Sequence, residues 1–544
     1  MKTRTNKRNA GSIIDPGLMI AVILIVAASF TASAVTKEIR MSPLRFAGVH
    51  ALSSQQGQSD GYMLIQTARG GNWNFQLLDN VLNEVAQGDI DTPRHAFFND
   101  ITFNGEYSLL SFVVNALNPS ITYIVMDKQG NEVSRVTRTD TPMLRRGEQF
   151  FPAVFNHPEH GFVIVQTIGG GRRAGYSVEH VDHKLNILSS LEFTGSNGHV
   201  HVYDLVTSES SLYILEATER LGRTLNARLH CIDIINNLHT YTMELSDSDH
   251  AYFPTALLPL EDKSIAMAGS YYSGKNIRGR NSRGLFFLQV DADGGTTSMD
   301  IHPWRGLRST LRTPVPDWFF RVMPDVYIHA LESNADGSIT AVAELYRYSG
   351  EVHRREEGQT KERYHRIRML DFMLLNFNPD GSIAYTERIE RPHMVLKLDS
   401  DMGGGSGSLA EEAGQGPLRR ARAMKKFGAF TYRFHQKTDD GIKLAFMSYE
   451  NKMHYAYLMD SSKQFGAVKI DLQHAKPAFI SYLQIVDLCV NQSGFGFILS
   501  ELNTRSFDDS EAYWRGLLPA GDNAFLTYEY MPLGGRLKLS LTAF

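Results

Sequence analysis

The sequence is poor in the features that announce a chemistry. It has two cysteines in 544 residues, Cys231 and Cys489. An exported protein held by disulfides would carry more. No C-x-x-C-H, HExxH or P-loop pattern is present, so haem, a zinc-protease metal and a nucleotide all lack their usual ligand sets. Neither a metal nor a cofactor is therefore expected. The stretch GGGSGS at 403–408 lacks the closing glycine of a G-x-S-x-G elbow, and no strand–turn–helix pattern surrounds it. Positive charge is not in excess either, with Lys+Arg 55 against Asp+Glu 59. A phosphate backbone needs a basic face, so nucleic acid is not the expected partner.

The longest apolar run is N-terminal. MKTRTNKR is basic, LMIAVILIVAASF comes next, and ASA ends at Ala34. This is the layout of a secretory signal peptide over 1–34. The run falls short of the ~20 residues of a membrane span. The alternative is an uncleaved anchor, because the region before the run is long. No cysteine lies near Ala34, which argues against a lipid anchor. The expectation is an exported protein, periplasmic, cell-surface or secreted, with 35–544 as one domain. Residues 1–34 hold four Lys/Arg and one Asp, so the remainder carries 51 basic against 58 acidic residues.

Near residue 376 the chain reads NFNPDGSIAYTE, which nearly fits an EF-hand loop. Asn376, Asn378 and Asp380 alternate, Gly381 is sixth and Glu387 twelfth. EF-hands need a helix on each side, whereas MLDFMLLNF and SIAYTERIE are rich in aromatic and branched residues, as strands are. Asn378-Pro379-Asp380-Gly381 is a tight-turn sequence. The same hairpin pattern recurs at 74–88, 122–137, 176–193, 229–245, 285–301, 455–472 and 527–541. The oxygen ladder does not recur with it, so the turn is structural.

A second hairpin precedes each of these, as in FNDITFNGEYSLLSFVV at 98–114 and IHALESNADGSITAVAEL at 328–345; the copy at 485–502 precedes the last. Four strands, repeated eight times at about 50 residues per unit, form the pattern of a propeller. The predicted fold class is all-β, an eight-bladed β-propeller of four-stranded antiparallel blades. Each unit is expected to supply its own four strands, with 36–46 as an additional edge strand at the closure. A transmembrane barrel is not expected, since the second strands are short and apolar on both faces. Two stacked sandwiches would not explain the eightfold period. In such a ring Cys231 falls in the fourth blade and Cys489 in the eighth, too far apart for a disulfide.

Over nearly all of 35–544 the chain resembles the β-propeller superfamily, without matching a characterised family within it. Four tryptophans are too few for the repeated signature of quinone-dependent dehydrogenase propellers. Sialidase-type and WD turns are missing too. The resemblance implies a ligand site at the mouth of the central channel, where inner strands begin. The residues opening those strands are His95, Glu148, His199, His201, His250 and Asp325. Histidines and carboxylates converging on one axis suit an anionic or sugar ligand, or a metal; as loop ends they are equally ordinary polar positions. Insertions at about 303–325, 347–368 and 392–428 are the other candidates. The first carries Trp304 and Trp318, which if exposed would stack on a sugar or anchor a partner. The last includes LRRARAMKK, a basic stretch of helical composition. The expected role is a scaffold for a protein or glycan ligand; the alternative is a glycan hydrolase or lyase using the channel mouth.

Overall fold

A computed structural model describes residues 35–543 apart from 140–152, 313–323, 400–415, 473–513 and a set of shorter loops. The described strands form eight antiparallel sheets, in most of which neighbours in sequence are neighbours in space. This is the β-propeller, and its blades are numbered here from the sheet beginning at Phe46.

Polarity within each repeat maps onto radial position. In blade two, Tyr107–Val114 and Ser120–Asp127 are buried along almost their whole length, because adjacent blades cover both faces. The outer strand, Glu132–Arg138, is partly exposed throughout. The turn into the outer strand is set by an aspartate. Asp127 Oδ1 accepts the backbone N–H groups of Gln129 and Asn131 at 2.9 and 2.8 Å, and Asn131 Nδ2 donates to Asp127 Oδ2 at 2.9 Å. Asp79 with Asn83 and Asp182 with Asn186 repeat the arrangement.

The calcium-like stretch is the corresponding hairpin of blade six. Asp380 Oδ1 accepts the Ser382 N–H at 2.9 Å, so this oxygen serves its own turn. Gly381 has φ +87°, and a Cβ there would lie 2.7 Å from Ser298 Oγ of blade five. Glycine is required both by conformation and by the close approach.

Inner strands share an irregularity that alternation alone does not reveal. A β-bulge interrupts pairing between Phe98 and Asp100 in blade two, Val202 and Asp204 in four, Pro254 and Ala256 in five, Ile328 and Ala330 in six, and Tyr432 and Phe434 in seven. A bulge puts two consecutive residues against one and re-aims side chains.

The closing sheet corrects the expectation that each unit supplies its own four strands. Its members are Trp514–Ala520, Ala524–Met531, Arg536–Ala543 and, outermost, Val35–Arg40 from the other end of the chain. Thus 527–541 spans second and third strands, not third and fourth, while 485–502 lies outside the described residues. The N-terminal strand pairs Arg536–Leu541 in antiparallel register and closes the ring by hydrogen bonds between chain ends. The blade-six insertion at 347–368 lengthens its second and third strands to Ile339–Arg354 and Glu362–Phe377, and Met394–Asp399 adds a fifth strand beside the extension.

Cys231 is buried with a free thiol; Cys489 lies outside the described residues.

Candidate functional site

The connection between blades six and seven carries helix α1 (Pro417–Lys426), which packs on the mouth end of the ring. Its apolar contacts, Ala421 and Met424, meet Tyr327, Tyr346, Ile367 and Met369 of blade six. The spacing of Pro417, Arg420, Ala421 and Met424 is that of one helical face, and all four are buried. Five of the ten residues in PLRRARAMKK are Arg or Lys, so the helix brings concentrated positive charge to this end.

Two of those cations are fixed by carboxylates on inner strands. Arg420 donates to Asp325 Oδ2 at 3.2 Å and lies 3.8 Å over the Tyr348 ring. Asp325 is buried, and burial raises its pKa against the pull of Arg420. Its other oxygen, Oδ1, is buried without a hydrogen-bond partner. Lys425 Nζ stands 3.5 Å from Asp204 Oδ1 of blade four, with half of the lysine side chain exposed. The Asp204 carboxylate raises the lysine pKa further, so the ammonium is charged at all ordinary pH. Together they line a small cavity of about 30 Å³ with Tyr203, Phe253, Thr255 and Tyr327, at the inner strands of blades four, five and six. Such a space holds about one water.

Asp100 occupies in blade two the post-bulge position that Asp204 occupies in blade four. Burial pushes its carboxyl up to about 6, against hydrogen bonds from the Ile101 and Val154 N–H groups.

Beneath α1 the seam between blades six and seven combines an apolar cluster with a buried ion pair. Glu344 and Arg391 have fully buried side chains and form an ion pair at 2.8 Å. Glu344 also accepts from the Thr431 hydroxyl at 2.7 Å, from the Thr431 and Tyr432 N–H groups at 3.2 Å, and contacts His329 Nε2 at 3.1 Å. Burial alone would raise its pKa, but Arg391 and His329 hold the carboxyl down at about 2. The His329 ring stacks on Tyr432 at 4.3 Å. Every oxygen of this network serves the fold.

The opposite face bears a cleft of about 890 Å³ between blades two, three and four, whose lining includes Glu106, Tyr107, His157, His180, His183 and Ile235. The rings of His157 and His180 are 5.2 Å apart, and His183 stacks on Tyr107 at 4.9 Å. Among the described residues no three His, Cys, Asp or Glu side chains are grouped to hold a metal.

The sequence-derived ring is only partly visible. Asp325 is at the mouth but committed to Arg420. His250 is half-exposed there, 3.9 Å from Asp247. His199 and His201 open the blade-four inner strand opposite Glu219 and Ala217, and their side chains are not described. His95, Glu148 and Trp318 lie outside the described residues. Trp304 is 3% exposed, with its indole N–H donating to Ser282 O at 3.2 Å and Oγ at 3.1 Å. It ties the insertion to the seam between blades five and six, so its ring is not presented to a ligand. Asp100, Asp204 and Lys425 escaped the sequence reading. FNDI and VYDL do carry an aspartate at one repeat position, but the bulge that aims it has no sequence signature.

No curated protein matches the chain. Solved structures that resemble it are of remote sequence. The WD40 domain of SCAP from fission yeast is 8% identical, with 94% of each chain covered and a TM-score of 0.41. The Dos1 propeller is 8% identical over 93% of this chain and 94% of that one, with a TM-score of 0.38. The polysaccharide lyase Uly1 is 8% identical over 92% of this chain and 100% of that one, at 0.37. A family described as "Family of unknown function (DUF6770)" has a model that matches residues 18–473.

Proposed function

Because the chain belongs to the DUF6770 family, whose description assigns no role, we propose a function from the site alone: an exported propeller that binds an acidic glycan through the anionic groups of its sugars, at the channel mouth beside α1. One observation carries this reading. The inserted helix holds Lys425, whose side chain is half exposed, on the wall of the inner strands between blades four and six. Its partner Asp204 is 3.5 Å away and holds the ammonium in place, and an anionic group of a sugar lying over Lys425 would add a second acceptor. The cavity beneath is too small for a sugar, so the ligand lies over Lys425 and not under it.

Titration calorimetry with uronate-containing oligosaccharides tests this, comparing the native chain with Lys425→Ala. Binding weakened about tenfold in the variant, an expected loss for one charged contact, supports the reading. Equal affinity of the two proteins, or no binding of acidic oligosaccharides by the native one, overturns it.

A second reading draws on Asp100. A carboxyl pushed up to about 6 exchanges a proton near neutrality, which suits general acid–base work on a glycan. Under this reading the protein is a hydrolase or lyase, and Asp100→Asn abolishes turnover while leaving glycan affinity in place.

A further inference from the structure

The long hairpin of blade six has two unlike faces. Its strands Ile339–Arg354 and Glu362–Phe377 run 16 residues each, where the second and third strands of blade two have 8. On one face of the extension Tyr346, Ile367, Met369, Met394 and Leu396 are buried with α1. The positions that alternate with them belong to the other face. Three of these are Arg347, Arg366 and Arg368. Arg347 stands directly opposite Arg368 in register, and Arg366 is the next same-face position of the strand that carries Arg368. On the third strand Val395 lies opposite Arg368 and Lys397 opposite Arg366. The three arginines are therefore immediate neighbours, with no other same-face position between them. Arg347 is exposed, and Arg366 and Arg368 are half-buried. Leu345, two residues before Arg347, packs in the cluster that joins blades five and six, so the basic face looks toward blade five.

Like charges set directly opposite in a sheet repel. Elsewhere in blade six and α1 the arginines are matched: Arg388 with Asp371, Arg391 with Glu344 and Arg420 with Asp325. None of Arg347, Arg366 and Arg368 has an ion pair or a hydrogen bond among the described residues. A bound anion relieves that repulsion, and a guanidinium presents a planar fork that fits the paired oxygens of a carboxylate or a sulfate. The cations form a grid and not a line, about 5 Å apart across the strands and about 7 Å apart along them. A ligand that answers both directions carries more than one anion per repeating unit. A uronate ring has one carboxylate, and sulfate esters add the rest. Among the described residues of this face only Val395 is a large apolar one. A protein partner needs apolar or aromatic anchors at the centre of its interface, which this face does not offer.

We propose that the face carrying Arg347, Arg366 and Arg368 binds a sulfated polysaccharide through its sulfate groups. Lys425 belongs to the helix seated on the other face of the extension, so this is a separate site. It stands or falls independently of the ligand at Lys425.

The test is titration calorimetry of the full chain with chondroitin 6-sulfate hexasaccharide and with its unsulfated counterpart. The native protein is expected to bind the sulfated form at least about tenfold more tightly. Arg347→Gln with Arg368→Gln is expected to weaken that binding about a hundredfold, about tenfold for each charged contact, and Arg366→Gln alone about tenfold. Lys425→Ala leaves it unchanged, which separates this site from the one at the channel mouth. The free double variant melts no lower than the native chain, because the substitution removes a repulsion; should it melt lower, Arg366→Gln carries the comparison. Equal affinity for the two hexasaccharides overturns the proposal, as does sulfated binding that survives both arginine variants. Binding of phosphatidylglycerol vesicles without binding of the sulfated hexasaccharide overturns it in favour of a lipid surface.

Discussion

The seam between blades four and five and the seam between blades six and seven are both packed with apolar side chains, and the second adds a buried ion pair. Blades four and five share a cluster of apolar residues that includes Tyr213, Leu215, Tyr252, Phe253, Phe286 and Leu288. Blades six and seven also share an apolar cluster, including Phe372, Leu374, Leu444 and Phe446, and add to it the network of Glu344, Arg391, Thr431 and His329, with both charged side chains fully buried. The connections differ too. Blade four passes to blade five in a few residues, between Glu244 and His250, whereas blade six reaches blade seven through a long segment containing α1. A short connection limits how the next blade can dock, and non-directional packing then suffices. After a long insertion the docking geometry is open, and a network with fixed donors and acceptors selects one arrangement.

The first way to break this comparison is by substitution at each seam. Glu344→Ala leaves Arg391 buried and unpaired, and is expected to cost about 3–5 kcal/mol. Phe286→Ala costs about as much, roughly 3–5 kcal/mol, through the cavity it opens. The seams separate by pH. Glu344 has a folded pKa held down at about 2, below its usual 4.5, so its contribution is complete above 4.5 and is lost as pH falls through about 2. Denaturant titrations between pH 6 and 2 therefore show the deficit of Glu344→Ala shrinking while that of Phe286→Ala persists. A deficit constant with pH for both would remove the distinction.

A smaller effect sharpens it at the helix. Arg420→Ala deprives Asp325 of its cation, with an expected cost of about 1.5–3 kcal/mol for a lost charge-assisted bond. Limited proteolysis then cuts within 400–428 earlier than in the native chain, with the rest of the propeller intact. Equal cleavage rates would mean that apolar packing alone seats α1.

The smallest effect is at blade two. Asp100 has a folded pKa pushed up to about 6 against an ordinary 3.8. Its protonated form is the one the fold favours, so its contribution is full below 3.8 and is lost as pH rises through about 6. Asp100→Asn is expected to raise the melting temperature at pH 8 by a few degrees relative to its effect at pH 4. An equal shift at both values would place the carboxyl in a more solvated setting.

Much of the architecture was legible because it repeats. Short apolar second strands such as YSLLSFVV and turns such as Asn378-Pro379-Asp380-Gly381 state a four-stranded unit directly. The closure was less legible. TKEIR alternates weakly, and only its pairing with Arg536–Leu541 shows it to be the outer strand of the last blade. The candidate site was the least legible. Asp325 was singled out as a channel-mouth ligand, and what the sequence did not show is its contact with Arg420, a residue 95 positions away. Trp304 has the composition of a stacking residue and is packed inside a seam.

Periodicity decides which segments are strands, which faces are buried and how many units stack, because hydrophobic spacing is a local property of the chain. Which residue of an inner strand reaches the channel is not local. It depends on a bulge fixed by the neighbouring strand, on the closing of the ring between residues some 500 apart, and on where an insertion lays its helix. Lys425 and Asp204, 221 residues apart in sequence, stand 3.5 Å apart only after all three are settled.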